Sequence, residues 1–315
     1  QPIEPVFLDY SKDLTQLTAK ADIPVIYKQN TSNDLFSLMY LFDMGTRHDK
    51  ALGMAANYLE YLGTSDMTPE QVKSEFYRLA CSFSVVPGTD QTYITLSGLN
   101  ENMPQAIALL ENLLADAQVN PAAYTNMVSD ELKARQDSKL NQMQNFFRLR
   151  VYMQYGPDNW AKNILSEKEL KAMNPQDLAD RIHALNGFKH CVTYYGPSSQ
   201  EELLAVINQE HRVPETLKDI PAGKNFEQPL TTETQIFIAP YEAKQVYMAQ
   251  FSNKGEKYNP AIEADRTLYN EYFGGAMNSI VFQEMRESRS LAYSAGASFS
   301  RPSRLPDPYA MGTII

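Results

Sequence analysis

Phe273-Gly274-Gly275-Ala276-Met277-Asn278-Ser279-Ile280-Val281-Phe282-Gln283-Glu284-Met285-Arg286, followed after a short turn by Leu291-Ala292-Tyr293, is the stretch that decides the fold. A double glycine breaks the chain ahead of a helix predicted over residues 276–288. Met277, Ile280, Val281 and Met285 recur at helical spacing and are its predicted buried stripe. Arg286 then falls near the C-terminal end. The turn at Ser288 to Ser290 leads into a predicted strand over 291–299, which carries Tyr293. On that strand Tyr293 shares a face with Leu291, Ala295 and Phe299, so residue pattern alone also fits a plain core tyrosine.

Working outward, the same order occurs earlier in the chain. Pro24 to Tyr27 and Leu35 to Phe42 read as strands around a polar turn. A helix from about Lys50 to Leu62 stops at Gly63, and Thr68-Pro69-Glu70-Gln71 opens the next with a cap, an N-terminal proline and a capping box. Residues 91–97 alternate as a strand. Helices are predicted over 102–117, over 121–155 as one long element, and over 175–185. A strand over 190–195 and a helix over 198–209 follow. Periodicity is lost over 213–234, where Pro214, Pro221, Gly223 and Pro229 mark a linker. Beyond it come strands at 235–239 and 245–251 and a helix at 260–272. Glu60-Tyr61-Leu62-Gly63 aligns with Glu271-Tyr272-Phe273-Gly274, a period of about 210 residues that indicates duplicated domains and not a short-repeat solenoid. The organisation read from this is a first α+β domain over 1–212, a linker over 213–234 and the N-terminal part of a second α+β domain over 235–315. The second copy ends inside what should be a sheet, so the native protein is expected to continue past Ile315.

The chain has 315 residues, 43% of them hydrophobic and 21% charged, the balance of a globular protein with room for two cores. Its formal charge of −10 argues against a nucleic-acid footprint. No apolar run is long enough to span a membrane. Cys81 and Cys191 lie far apart, outside any CxxC pattern, which excludes a disulfide framework and a cysteine zinc site. The sequence starts at Gln1 without a signal-type segment and is expected to be a processed or excised piece. No compartment follows from these residues.

Asn57-Tyr58-Leu59-Glu60-Tyr61 now gains meaning beside the later run. Together they resemble the pitrilysin/insulinase family of metallopeptidases, whose duplicated α+β clam-shell domains carry an inverted HxxEH motif. In such a motif two histidines at i and i+4 share one helical face and grip one zinc ion. The resemblance puts Asn57 and Tyr61 at the two histidine positions and Glu60 at the base position. Glu131 is then the candidate for the distal ligand. Leu52, Ala55, Leu59 and Leu62 form the buried stripe of this helix, which leaves Asn57, Glu60 and Tyr61 facing out. An asparagine amide is a poor zinc ligand, and a phenol is mostly protonated at neutral pH. No catalytic metal is therefore expected in this chain. Glu60 and Glu131 alone would hold magnesium only with phosphates or waters completing the shell. His48, His183, His190 and His211 form no i,i+4 pair and read as isolated surface or core residues.

In the same family the half without zinc supplies an arginine and a tyrosine, seven residues apart, that reach the zinc site. Arg286 and Tyr293 match that pair in spacing and surroundings. The resemblance implies substrate anchoring for Arg286 and stabilisation of the hydrolysis intermediate for Tyr293. These types suit the work: a tyrosine hydroxyl donates to a developing oxyanion, and a guanidinium offers a planar fork to carbonyls or carboxylates. The fold implied is α+β, mostly antiparallel sheets covered by helices, in the LuxS/processing-peptidase style, with the second domain truncated. The function implied is the substrate-binding, zinc-less half of a peptidase. Its expected partners are an HxxEH-bearing half, which would hold the zinc, and peptide substrates. The alternative is a binding or scaffold subunit of the same descent, without catalysis. The family occurs in bacterial extracytoplasmic and in mitochondrial settings, and the resemblance does not choose between them.

Overall fold

The computed structural model describes residues 7, 9–302 and 307–315. In chain order the first elements are α1 (Tyr10–Asp13), β1 (Thr15–Ala19), β2 (Ile23–Gln29), β3 (Leu35–Phe42), α2 (Leu52–Leu59), α3 (Pro69–Arg78), β4 (Cys81–Pro87) and β5 (Thr92–Leu99). Then follow α4 (Met103–Asp116), α5 (Pro121–Lys139), α6 (Gln142–Tyr155), α7 (Glu167–Ala172), α8 (Pro175–Leu185), β6 (Cys191–Gly196) and α9 (Gln200–Glu210). The last are β7 (Ala249–Asn253), α10 (Glu263–Asn270), β8 (Gly296–Ser300) and β9 (Ala310–Ile314).

Two compact units form, one from the residues up to Leu132 with Asn163–Lys224, the other from Lys133–Lys162 with Asn225–Ile315. The first holds a six-stranded sheet in the order β1-β2-β6-β3-β5-β4. All its neighbours are antiparallel except β2 and β6. Alternation on β3 shows how the sequence fixes its face: Phe36, Leu38, Tyr40 and Phe42 are buried, while the residues between them are not. Leu52, Ala55, Leu59 and Leu62 of the α2 region pack into the same core, as do Ile107, Leu110 and Leu114 of α4 and Leu178 and Ile182 of α8. Full burial of one such side chain contributes about 1.5–3 kcal/mol before entropy is counted. Thr68 caps α3 in a complete capping box with Gln71, as its sequence predicts. Gly63 ends the α2 region because a Cβ there would sit 2.1 Å from the Met67 carbonyl oxygen.

The second unit is built on the antiparallel sheet β7-β9-β8. Several expectations need correction here. The long helix over 121–155 is two helices, because Asn141 turns its side chain back as the cap of α6, accepting from Gln144 N at 3.0 Å. The aromatic face of α6 explains its grouping with the later residues and not with 1–212: Phe146 packs on Tyr247, and Tyr152 on Phe237. Residues 213–224, read as linker, stay with the first unit, where Leu217 and Ile220 pack on its core and Lys218 bridges to Phe188. No strand forms over 235–239, where Ile236 and Ile238 are 82% and 81% exposed, and the 245–251 strand shifts to β7. The helix predicted from 276 starts later, with buried Ser279 as its cap, and widens to π-type turns over 283–288. Its predicted buried stripe is not buried: Met277 is 74% exposed and Ile280 is also exposed.

The glycine breaks do repeat. A Cβ at Gly274 would lie 2.2 Å from the Ala297 carbonyl oxygen, so Gly274, like Gly63, is a point of close backbone approach.

Candidate functional site

In the first unit β4 is an edge strand, and beside it runs a groove of about 740 Å³ walled by α2, α3 and β4. Asn57 and Glu60 line it, with Lys73, Phe76, Tyr77 and the whole of Cys81–Pro87. The backbone direction along β4 can be worked out from two fixed points. Gly88 N donates to Gln91 O at 2.7 Å, and Leu99 N donates to Ala80 O at 3.4 Å. Antiparallel pairs alternate between bonded and non-bonded, so Ser82, Ser84 and Val86 bond to β5. Cys81, Phe83 and Val85 therefore aim their N–H and C=O groups away from β5, at the open edge. Pro87, which has no N–H, falls on the same outward parity. Among the described residues, nothing outside the sheet hydrogen-bonds to these outward backbone groups. Burial raises the Cys81 thiol above its ordinary value, so it is a wall of the groove and not a nucleophile.

Asn57, Glu60 and Tyr61 are all exposed, as the helical stripe predicts. They do not keep the geometry of a two-residue metal grip. Tyr61 N donates to Tyr58 O and Leu62 N to Leu59 O, three-residue bonds that tighten the chain as α2 ends at Leu59. Positions 57 and 61 thus straddle the helix end. Glu131 is half-buried on α5 and does not line the groove. Among the described residues no group of three or more His, Cys, Asp or Glu side chains is placed to hold a metal ion. The donor set of Asn57 and Tyr61, an amide and a phenol, does not fit zinc.

In the second unit Arg286 and Tyr293 are brought together. The Arg286 guanidinium carbon lies 4.4 Å from the Tyr293 ring centroid and 4.8 Å from that of Phe282, a cation held between two aromatic faces. Glu287 Oε1 is 3.4 Å from Arg286 Nε. The fold-back that makes this contact uses Ser290 in the left-handed region at φ 49, with Leu291 N donating to Met285 O at 2.9 Å. Tyr293 itself is not on a strand. It sits in the bend before β8 and is 83% exposed, so the core-tyrosine reading fails.

Two features escaped the sequence reading. The first is the β4 strand, whose signal was Ser82 and Ser84 alternating with Cys81, Phe83 and Val85. The second is a buried cluster of Glu111, His211 and His190, so these two histidines are not isolated. Its signal was Glu111, a charge in the apolar stripe of α4, which burial obliges to find partners.

Residues 175–311 match the family described as the peptidase M16 inactive domain. The sequence matches no curated protein. Among solved structures, the peptidase M16 inactive domain from Pseudomonas fluorescens superposes with a TM-score of 0.76 at 16% identity, covering 96% of this chain and 73% of that one. The periplasmic protease PqqL from Escherichia coli gives 0.77 at 14% identity, with 98% of this chain covered. The present chain spans 34% of PqqL. The ferredoxin protease FusC, in complex with Arabidopsis ferredoxin, gives 0.72 at 11% identity, covering 99% of this chain and 34% of that one. Residues 175–311 thus match the peptidase M16 inactive domain, and the chain as a whole shares the α+β fold of the solved M16 inactive domain.

Proposed function

We propose that this chain is the substrate-binding, zinc-less half of an M16-type peptidase, which hydrolyses peptides together with a half bearing an intact HxxEH. The observation that carries the reading is the open edge of β4 inside the groove. An extended peptide adds to such an edge through its main chain, and alternate side chains enter the apolar wall. Cys81, Phe83 and Val85 supply the bonding positions, and Pro87 ends the register. Phe76, Phe83 and Val85 supply the apolar contacts.

The complementary half holds the zinc in this proposal, and activates the attacking water. Arg286 and Tyr293 serve the reaction from this chain. Arg286, in contact with the rings of Phe282 and Tyr293, offers its guanidinium to carbonyl or carboxylate oxygens. The Tyr293 hydroxyl donates to the scissile oxygen as negative charge builds there. FusC, held with a protein ligand, lends support by its fold.

The test is a pair of proline variants. Val85→Pro removes an N–H that faces the open edge and leaves the β4–β5 ladder whole, whereas Ser84→Pro removes a ladder bond. The Val85→Pro protein should stay folded by circular dichroism and bind a fluorescent unstructured peptide about tenfold or more weaker in anisotropy titrations. Ser84→Pro should lose the fold of the first unit. Wild-type affinity in folded Val85→Pro would remove the β4 edge from the binding site.

A further inference from the structure

Glu111 is fully buried in the middle of α4. Its Oε1 lies 2.6 Å from His211 Nδ1, and its Oε2 accepts from Asn186 Nδ2 at 2.9 Å and from Arg212 N at 3.0 Å. The other ring nitrogen of His211 lies 2.8 Å from His190 Nε2, and His190 Nδ1 lies 2.7 Å from the Phe188 carbonyl oxygen. A carbonyl oxygen only accepts, so His190 Nδ1 carries a proton. Glu111 receives N–H donors on its other oxygen, so it accepts from His211 Nδ1 as well. What remains is a contact between two Nε2 atoms with room for one proton between them. The facing Nε2 atoms, 2.8 Å apart, leave no room for a proton on each.

Burial of this cluster opposes a second positive charge. Tyr40 and Phe42 of β3 bring aromatic rings to 4.3 Å from His211 and 4.7 Å from His190, centroid to centroid. The Tyr40 hydroxyl is buried, and its pKa is raised well above the ordinary value by burial first and by Glu111 second. The Arg212 side chain turns away to Asn112 Oδ1 at 3.3 Å. On its outer side His190 borders a cleft of about 760 Å³, where Asp22, Asp43, Lys189, Cys191, Glu215 and Asp219 are the titratable neighbours, and Lys189 pairs with Asp219 at 2.5 Å. Burial holds the His190 pKa down to about 4, with the neighbouring His211 adding to the effect.

We infer that Glu111, His211 and His190 form an acid-released clasp: a second proton on the facing imidazoles separates them and frees residues 211–220 from α4 and β6. That segment walls the cleft and is also held by Lys218 N donating to Gly187 O at 2.8 Å, by Lys189 N donating to Lys218 O at 2.9 Å, by the Lys189–Asp219 pair and by Val213, Leu217 and Ile220 packing on the core. Opening would expose the cleft without touching the sheet beneath it.

Hydrogen exchange of the whole chain, corrected for intrinsic rates, tests this between pH 6.5 and pH 4. Amides of 211–220 should lose protection by about tenfold or more over that range, while those of β3 and β5 keep theirs. His190→Gln, which cannot take the proton, should show no such pH step. Equal protection of 211–220 at both ends of the range in the wild type, or the same step in His190→Gln, would overturn the inference. Should that variant fail to fold, nitrogen-15 spectra of the wild-type histidines decide. The His190 and His211 signals should show the added proton in step with the loss of protection, and a step without it would equally overturn the inference.

Discussion

At the residue scale, Tyr293 shows how little a side chain's type reveals of its setting. Its spacing from Arg286 was legible, but the contact of Phe282 with that arginine was not, and the strand placement failed. The reason lies at Ser290, a non-glycine residue at φ 49, which folds the chain back one step sooner than alternation suggests. The result is a stacked ring whose hydroxyl is left for other work. Tyr293→Phe keeps the stack and removes only that hydroxyl. With the complementary half present, turnover of a quenched fluorescent peptide should fall about 100-fold while peptide affinity is kept. Unchanged turnover would take Tyr293 out of the chemistry.

At the scale of elements, local signals worked where one rule acted alone. Thr68, Pro69 and Gln71 announced α3, and the capping box is complete. Thr68→Ala should therefore lower stability by about 1 kcal/mol in urea unfolding of the first unit, with little change in slope. Signals failed where tertiary partners decide. Residues 235–239 have strand composition but no strand beside them among the described residues. The stripe of Met277 and Ile280 has helical spacing but no core to enter. The single helix over 121–155 failed for a local reason: Asn141 was read as interior when it is a cap. Of the candidate site, Asn57, Glu60, Arg286 and Tyr293 were readable as residue types, but the open edge of β4 depends on a sheet order that no stretch of sequence states.

At the scale of the molecule, the two units differ in how much they bury. Among the described residues, the buried apolar side chains of the second unit include Val151, Phe226 and Tyr309, whereas the first unit has a contiguous core from Ala19 to Ile207. Urea should open the second unit first, and limited proteolysis should cut within 225–315 before it reaches β3 or β5; the reverse order would contradict this division of stability. Acid acts on the first unit. The folded pKa of His190 lies near 4, below the ordinary histidine value of 6.5, so between these values the unfolded chain binds the extra proton. Stability is full above about pH 6.5 and declines as pH falls. It levels off below about pH 4, at a total loss on the order of 3 kcal/mol. Urea titrations of wild type and His190→Gln across this range should differ in slope against pH.

The chain enters the second unit at Lys133, leaves it after Lys162 and returns at Asn225. During synthesis on the ribosome, α6 therefore emerges well before the segments that carry Phe237 and Tyr247, its aromatic partners. Its apolar face must wait, uncovered, while the whole of β6 and α9 is made. Neither unit can be excised by one cut without orphaning part of the other.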